Sequence, residues 1–540
     1  MSNEGIATTQ PQPDYLAARG FRSWAFTHDH KRIGVMYLIT THFFFLVGGV
    51  IAMALRLKLL SPGPALFSDH AYNVLFTLHG AMMIFLFIIP AIPSSLGNFF
   101  IPLLIGARDV AFPRLNLYSY WIFVVGVVVT VASLLRPIDT GWTFYTPYSA
   151  QSSSAVTALS LGLFLVGLSS ILTGLNFIVT IHTMRAPGMS WYRMPLFIWG
   201  MYATSVIQVL ATPVIGITFV LLIAERVFGV GFFDPAKGGD PLLFQHFFWF
   251  YSHPVVYVMI LPAMGIISEV IPVFARKPIF GYKAIAYSAL AIAFIGFLVW
   301  GHHMFVSGMS TPAAVIFSFL TFFVAVPTGI KIFNWIATLY RGSISLDSPM
   351  LYALTFIFLF IIGGLTGLFL GSLATDVHVT DTYFLVAHFH YTMMGGTIMG
   401  LFAGLHYWFP KITGRMLHEG WAKQAWWLIV TGFNVTFFPM FILGMQGMPR
   451  RFSQYPEKYQ PLNIVATVGS WFLFLGILIM FANFVRSLRS GARAPDNPWQ
   501  GLTLEWSVPS PPPVENFEEI PTVTDWPYGY GSRSRSGRDE

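Results

Sequence analysis

Cysteine is absent from the 540 residues of this chain. Its absence excludes disulfides, zinc–thiolate sites, iron–sulfur clusters and covalently attached c-type haem. Any bound metal must be held by His, carboxylate, Met or Tyr. Charge is also scarce: 10% of residues are charged, against about 25% in an ordinary soluble domain. Most of the surface is therefore expected to face lipid. The small basic excess, +7, is spread thinly over loops. That pattern reads as membrane topology and excludes nucleic-acid binding. Residues 1–30 are polar and contain Pro, and lack the basic-then-apolar layout of a cleavable signal.

Apolar residues dominate instead. They make up 55% of the chain, mean hydropathy is +0.65, and 53 residues are Phe. Runs of 20 or more apolar residues recur, long enough to cross a core of about 30 Å. Only helices close their own backbone hydrogen bonds in lipid without a barrel, so the expected fold is an all-α integral membrane bundle. Twelve spans are predicted, at 31–57, 70–105, 115–136, 156–184, 195–228, 243–273, 283–306, 311–339, 351–372, 383–409, 422–445 and 462–489. They divide the chain into a cytoplasmic N-terminal segment (1–30), a membrane domain (31–489) and a Pro-rich polar tail (490–540) ending in SRSRSGRDE, expected to be irregular and solvent-exposed. One set of loops and ends carries 18 Lys and Arg, the opposite set 8. The imbalance puts both termini in the cytoplasm.

Six histidines fall within these apolar segments: His79, His253, His302, His303, His388 and His390. With this topology all six lie in the outer half of the membrane. One buried His is usually a hydrogen-bonded core residue. Six at related depths mark a functional site, because polar groups there are expensive. Imidazole suits iron and copper. His388 and His390 are two residues apart, so they point to nearly opposite faces of one helix and can ligate two haems, one on each side. His79 can supply the opposite axial ligand to one of them, giving a closed, electron-transferring iron. His253 and Tyr257 are four apart and share a face. The adjacent pair His302–His303 can reach one ion only near a helix end. Three histidines without a carboxylate suit copper.

The segments LHGAMMIF (78–85), WFYSHPVVY (249–257), WGHHMF (300–305), PTGIKIFNW (327–335), VAHFHY (386–391) and GMPRRF (447–452) resemble subunit I of haem–copper oxygen reductases, over roughly residues 25–490. The resemblance implies a bundle enclosing two haems, of a type, and one copper. It implies His79 and His390 on the low-spin haem, His388 on the oxygen-reactive haem, and His253, His302 and His303 on copper, with Tyr257 covalently tied to His253. Arg450 and Arg451 resemble the pair that binds haem propionates. Trp142 resembles a residue beside them, and Arg56 the arginine near the low-spin haem's formyl group.

Reducing O2 takes four electrons. Iron can give two, copper one, and a phenol beside the metals the fourth together with a proton, the role assigned to Tyr257. Lys331 sits mid-helix, where a charge costs roughly 3 kcal/mol. By resemblance Lys331, Thr328 and Ser268 form a proton path ending at Tyr257. A second path starts at Asp109, with Asn98 and Asn116 ordering its water. The family's usual HPEVY reads HPVVY here, so Val255 replaces a proton-carrying Glu. In a subgroup Tyr and Ser precede the His, as Tyr251 and Ser252 do here, and they can relay protons through water. The family's HD pair reads Thr380–Asp381, with His378 nearby, which weakens a magnesium site at Asp381.

The implied function is O2 reduction coupled to proton pumping in a bacterial inner membrane, fed by cytochrome c through a partner subunit that carries copper, in one form with a fused c-type haem, with further membrane subunits. Quinol-using relatives place His and Gln where Ala71 and Val74 stand. A nitric oxide reductase would share the six histidines but lack Tyr257 and Lys331 in these roles. A cofactor-free transporter would account for Lys331 but leave the opposed histidines unexplained.

Overall fold

The computed structural model describes residues 13–63 and 66–531; the SRSRSGRDE terminus and residues 1–12 lie outside them. The helices that build the site are α1 (His30–Lys58), α2 (Asp69–Ile105), α3 (Pro113–Ala132), α4 (Val156–Thr183), α5 (Leu196–Phe228) and α6 (Pro241–Ala275). They continue as α7 (Tyr282–Gly296), α8 (Thr311–Leu339), α9 (Ser348–Gly371), α10 (383–413), α11 (Glu419–Met445) and α12 (Gln460–Ser490). No strand occurs among the described residues, only isolated bridges.

Among the described residues, ten helices are long and apolar enough to cross a membrane. The expectation of twelve is not met by length and composition. α7 has 15 residues, short of the ~20 needed. α10 is long enough but carries His388, His390, His406 and four glycines, so it is less apolar than the ten. Starts follow local chemistry. Asp29, Ser68, Asp240 and Thr382 cap α1, α2, α6 and α10 through their side chains, and Pro241 occupies the first position of α6. α6 is the central post, buried along its whole apolar window. Where α11 meets α12, a Cβ on Gly432 would lie 2.2 Å from the Leu473 nitrogen, the small-residue contact typical of helices packed in lipid.

Through residue 531 the tail is irregular as expected, with one short 3₁₀ turn among the described residues, Leu504–Ser507. It is not exposed. Glu505, Trp506, Asn516 and Tyr528 are 0–3% exposed. Tyr528 Oη donates to Glu269 at 2.7 Å, Trp408 Nε1 donates to Glu505 at 3.2 Å, and Lys411 Nζ donates to the Val508 carbonyl at 2.5 Å. Tyr15 bonds to the carbonyls of both Ile412 and Pro512, so the segment before α1 and the tail meet at one end of the bundle. Composition counted the tail's prolines and charges as solvent-seeking, yet its aromatic residues find an apolar seat on α6 and α10.

Burial lifts the Glu505 carboxyl from 4.5 to about 7. The folded state therefore holds a proton there that the undocked tail releases, and docking weakens as pH rises from 4.5 towards 7. Glu505→Gln is expected to tighten the tail at pH 8, read as slower proteolytic cleavage between 490 and 530.

Candidate metal and haem centre

A cavity of about 1040 Å³ runs between α1, α2, α6, α8, α9, α10, α11 and α12. It matches or exceeds the upper range of small-ligand pockets, and all six histidines line it. π turns follow His79 in α2 and His390 in α10; such wide turns often mark functional sites.

Three of the rings share one arrangement. His79 Nδ1 lies 3.0 Å from the Gly48 carbonyl, His388 Nδ1 2.9 Å from Gly363, and His390 Nδ1 2.8 Å from Val386. A carbonyl only accepts, so each Nδ1 carries the proton and each Nε2 keeps a bare lone pair. That is the state of a metal-ligating imidazole oriented by an outer partner. His388 is held against α9, where a Cβ on Gly367 would stand 2.9 Å from its ring. His390 stacks on Phe437 of α11, centroids 4.2 Å apart. The two rings thus face opposite flanks of α10, as their spacing predicts.

His253, His302 and His303 converge, with ligand nitrogens within 4.8 Å of one another. His253 Nδ1 and His302 Nε2 lie 3.0 and 3.1 Å from His303 Nε2. Adjacent residues point to one spot because α7 ends at Gly296 and the pair sits on a 3₁₀ turn, Trp300–Met304. Trp249 stacks on His303 at 3.8 Å, and Thr321 Oγ1 lies 3.0 Å from His302 Nδ1. Tyr257 Oη is 2.8 Å from His253 Nε2, the nitrogen turned away from the cluster. Gly296 makes room for that phenol: a Cβ there would come within 2.6 Å of the Tyr257 ring. Three imidazoles without a carboxylate form a donor set that fits copper.

The cavity also fits two flat, acid-bearing groups. Arg56 is buried and bonds Asn463 and Thr467 through Nη2, leaving Nε and Nη1 without partners. Arg451 Nε is likewise buried and unpartnered. Burial and the neighbouring Arg450 charge press Arg451 down to about 10, so an anion beside it would be stabilised. Trp142 lines the same end, packed edge-on to Trp249. Arg450 donates twice to Asp381 Oδ1, at 2.8 and 2.5 Å. Asp381 is largely exposed and joins no metal-binding cluster among the described residues.

The proton-path candidates are distributed unevenly. Thr328 lines the cavity. Lys331 is buried and donates to the Ile285 carbonyl of α7 at 2.9 Å, outside the cavity lining. Ser268 accepts from Trp335, one turn beyond Lys331 on α8. Asp109 is half-buried and accepts from the Val110 N–H at 2.6 Å; burial lifts it to about 7. Asn98 Oδ1 and both amide atoms of Asn116 are buried without partners, as groups awaiting water are. Ser252 Oγ lines the cavity and is unpartnered. Tyr251 instead borders a separate water-sized cavity of about 10 Å³, facing Ser170.

Sequence reasoning missed several groups. Tyr37 Oη bonds Ser169 at 2.9 Å and Ser119 at 3.3 Å, and Thr173 lies 3.5 Å from Ser119. Gln208 bonds Ser170 at 3.0 Å. These groups come from α1, α3, α4 and α5; Ser119 also donates to the Asn116 carbonyl at 2.7 Å, and Ser170 shares the small cavity with Tyr251. Their signal was Ser169 and Thr173, four apart on an apolar helix. Asp376 was also missed. It is buried in the cavity wall and lifted to about 7 by burial and by Asp381.

A family profile described as "Cytochrome C and Quinol oxidase polypeptide I" matches residues 32–499. The chain is 48% identical to cytochrome c oxidase subunit 1 of Thermostichus vulcanus over 520 residues, covering 96% of this chain and 94% of that one. It is 48% identical to the same subunit of a Synechocystis species over 525 residues (96% and 95%), and 42% identical to that of Cereibacter sphaeroides over 544 residues (94% and 96%). Its fold matches a solved heme-copper terminal oxidase dimer, TM-score 0.76 at 20% identity, covering 86% of this chain and 85% of that one.

Proposed function

Because the chain belongs to the cytochrome c and quinol oxidase polypeptide I family, we propose that its six cavity histidines hold two haems and one copper ion in a proton-pumping cytochrome c oxidase. The chain is a terminal oxidase core subunit, an oxidoreductase and a multi-pass membrane protein; its family carries haem and copper and works with O2, cytochrome c and other subunits. The assignment within it is His79 and His390 to a low-spin haem, His388 to a high-spin haem, both of a type, and His253, His302 and His303 to copper. The observation that carries it is the convergence of three imidazole nitrogens beside three others whose Nδ1 is pinned to carbonyls.

When bound, the haem–copper pair supplies the O2-binding metal and three of the four electrons. Tyr257, hydrogen-bonded to His253, supplies the fourth electron and a proton. Arg451 and Trp142 hold the haem acids, with Arg450 positioned by Asp381. Arg56, with its unpartnered Nε and Nη1, would hold the formyl of the low-spin haem. Thr328 continues the Lys331 and Ser268 path towards Tyr257. Asp109 takes up protons that Asn98 and Asn116 pass on through water, and the Tyr37, Ser119, Ser169 and Thr173 hydroxyls extend that route towards Tyr251. No magnesium is assigned, since Asp381 is engaged by Arg450. A dinuclear copper centre needs cysteines, and this chain has none, so electrons enter through a partner subunit that carries the copper, with a fused c-type haem as one form. The setting is the bacterial inner membrane, with both termini cytoplasmic.

Metal content with pyridine haemochrome analysis of the purified complex tests the assignment. Two haems and one copper per copy of this chain, above the partner's copper, are expected; absence of haem bands would refute it. The relay carries its own expectation. Val255 cannot hold a proton, and Ser252 Oγ stands free at the cavity wall. Tyr251→Phe with Ser252→Ala should lower turnover and pumping by ~100-fold, the low end of what a positioned proton donor contributes. Wild-type turnover and pumping in vesicles would sink the relay.

A further inference from the structure

The tail returns to the cytoplasmic mouth beside Asp109, and one side chain makes most of the junction. Asn516 is 0% exposed and adopts φ 61°, a left-handed conformation that asparagine tolerates better than most residues. Its Oδ1 accepts from Lys31 Nζ at 2.8 Å. One N–H of its Nδ2 is shared between the carbonyls of Ala107 and Arg108, at 2.9 and 3.1 Å, the two residues before Asp109. Nδ2 also lies 2.9 Å from His30 Nε2. His30 Nδ1 lies 2.7 Å from the Asn98 carbonyl. A carbonyl only accepts, so the neutral ring carries its proton on Nδ1, and Nε2 accepts from Asn516.

One amide therefore joins the first turn of α1, the loop after α2 and, through His30, the Asn98 backbone. The charged and titratable groups around this mouth are Asp29, His30, Lys31, Arg108, Asp109 and Glu515. Lys31 Nζ lies 3.1 Å from Asp29 and donates to Val514 at 2.9 Å. Arg108 pairs with Glu515 at 3.6 Å. Asp29 Oδ2 and Asn98 Oδ1 remain buried without partners, which leaves acceptors for water between the surface and the interior.

We propose that Asn516 is a positioning residue for proton uptake, its side-chain amide clamping His30, Lys31 and the 107–108 backbone so that Asp109 and Asn98 share one mouth. The role rests on the reading of Asp109 as a proton entrance. A residue that merely anchored the tail would affect stability and leave uptake at an intact haem site unchanged.

The test uses the complete oxidase complex in vesicles. Asn516→Gly removes the amide and still permits the left-handed backbone. Asn516→Asp keeps the size and the Lys31 contact but loses both N–H donors. Both variants are expected to keep wild-type haem bands and haem reduction by cytochrome c. Proton uptake should slow roughly fivefold, the effect of losing about one net hydrogen bond. In Asn516→Gly, water admitted to Asp109 should move the alkaline limb of the pH–turnover profile about one unit lower. Wild-type uptake and pH profile with intact haem bands would overturn the role, as would a defect that only tracks haem loss. Asp109→Asn run in parallel separates two failures. If it leaves uptake unchanged, the entrance reading is wrong. If it blocks uptake while both Asn516 variants behave as wild type, only the role of Asn516 fails.

Discussion

His303→Ala is expected to abolish O2 reduction while haem reduction by cytochrome c persists. His303 Nε2 is the nitrogen shared by the two close contacts of the cluster, 3.0 Å from His253 and 3.1 Å from His302. Losing even an outer-shell partner commonly costs 10–100-fold in metal affinity, and losing a ligand should cost more. The fold should survive. Removing the ring takes a stacking partner from Trp249 but leaves no charge unpaired. Metal analysis should find the complex lacking the copper of this chain, with both haems retained. Full copper occupancy with normal O2 consumption would remove His303 from the site.

Tyr257→Phe should have an effect of similar size by a different route. The substitution deletes one oxygen, 2.8 Å from His253 Nε2, and leaves the ring against Gly296 unchanged. Haem and copper content should therefore stay normal while turnover falls by at least ~1000-fold, within the range for a lost proton donor in the reacting site. The contrast between lost metal in one variant and retained metal in the other separates ligand from reactant. Normal turnover in Tyr257→Phe would assign the fourth electron to another group.

The histidine half of the proposed site was legible from the sequence because its signals are local. A two-residue spacing puts His388 and His390 on opposite flanks of a helix, and a four-residue spacing puts His253 and Tyr257 on one face. These angles belong to the helix and do not wait for packing. The groups of the proposed proton routes were legible only in part. Lys331 and Asp109 stand out as charges in or beside apolar segments. The hydroxyls of Tyr37, Ser119 and Ser169 come from α1, α3 and α4 and look unremarkable until those helices meet. Asp376 likewise has no spacing that marks it.

By itself the sequence determined a helical membrane protein, the absence of any thiolate chemistry, and the imidazoles available for metal. Hydropathy and residue type decide those properties, and neither depends on neighbours far along the chain. Tertiary structure alone decided that Arg450 is engaged by Asp381 while Arg451 and Arg56 keep free N–H groups, and that Lys331 turns to Ile285. It also decided that part of a tail rich in proline and charge is buried, with Asn516 reaching across more than 400 residues of chain to His30 and Arg108. Those outcomes depend on which partners long-range packing brings within hydrogen-bond reach, and composition carries no record of that.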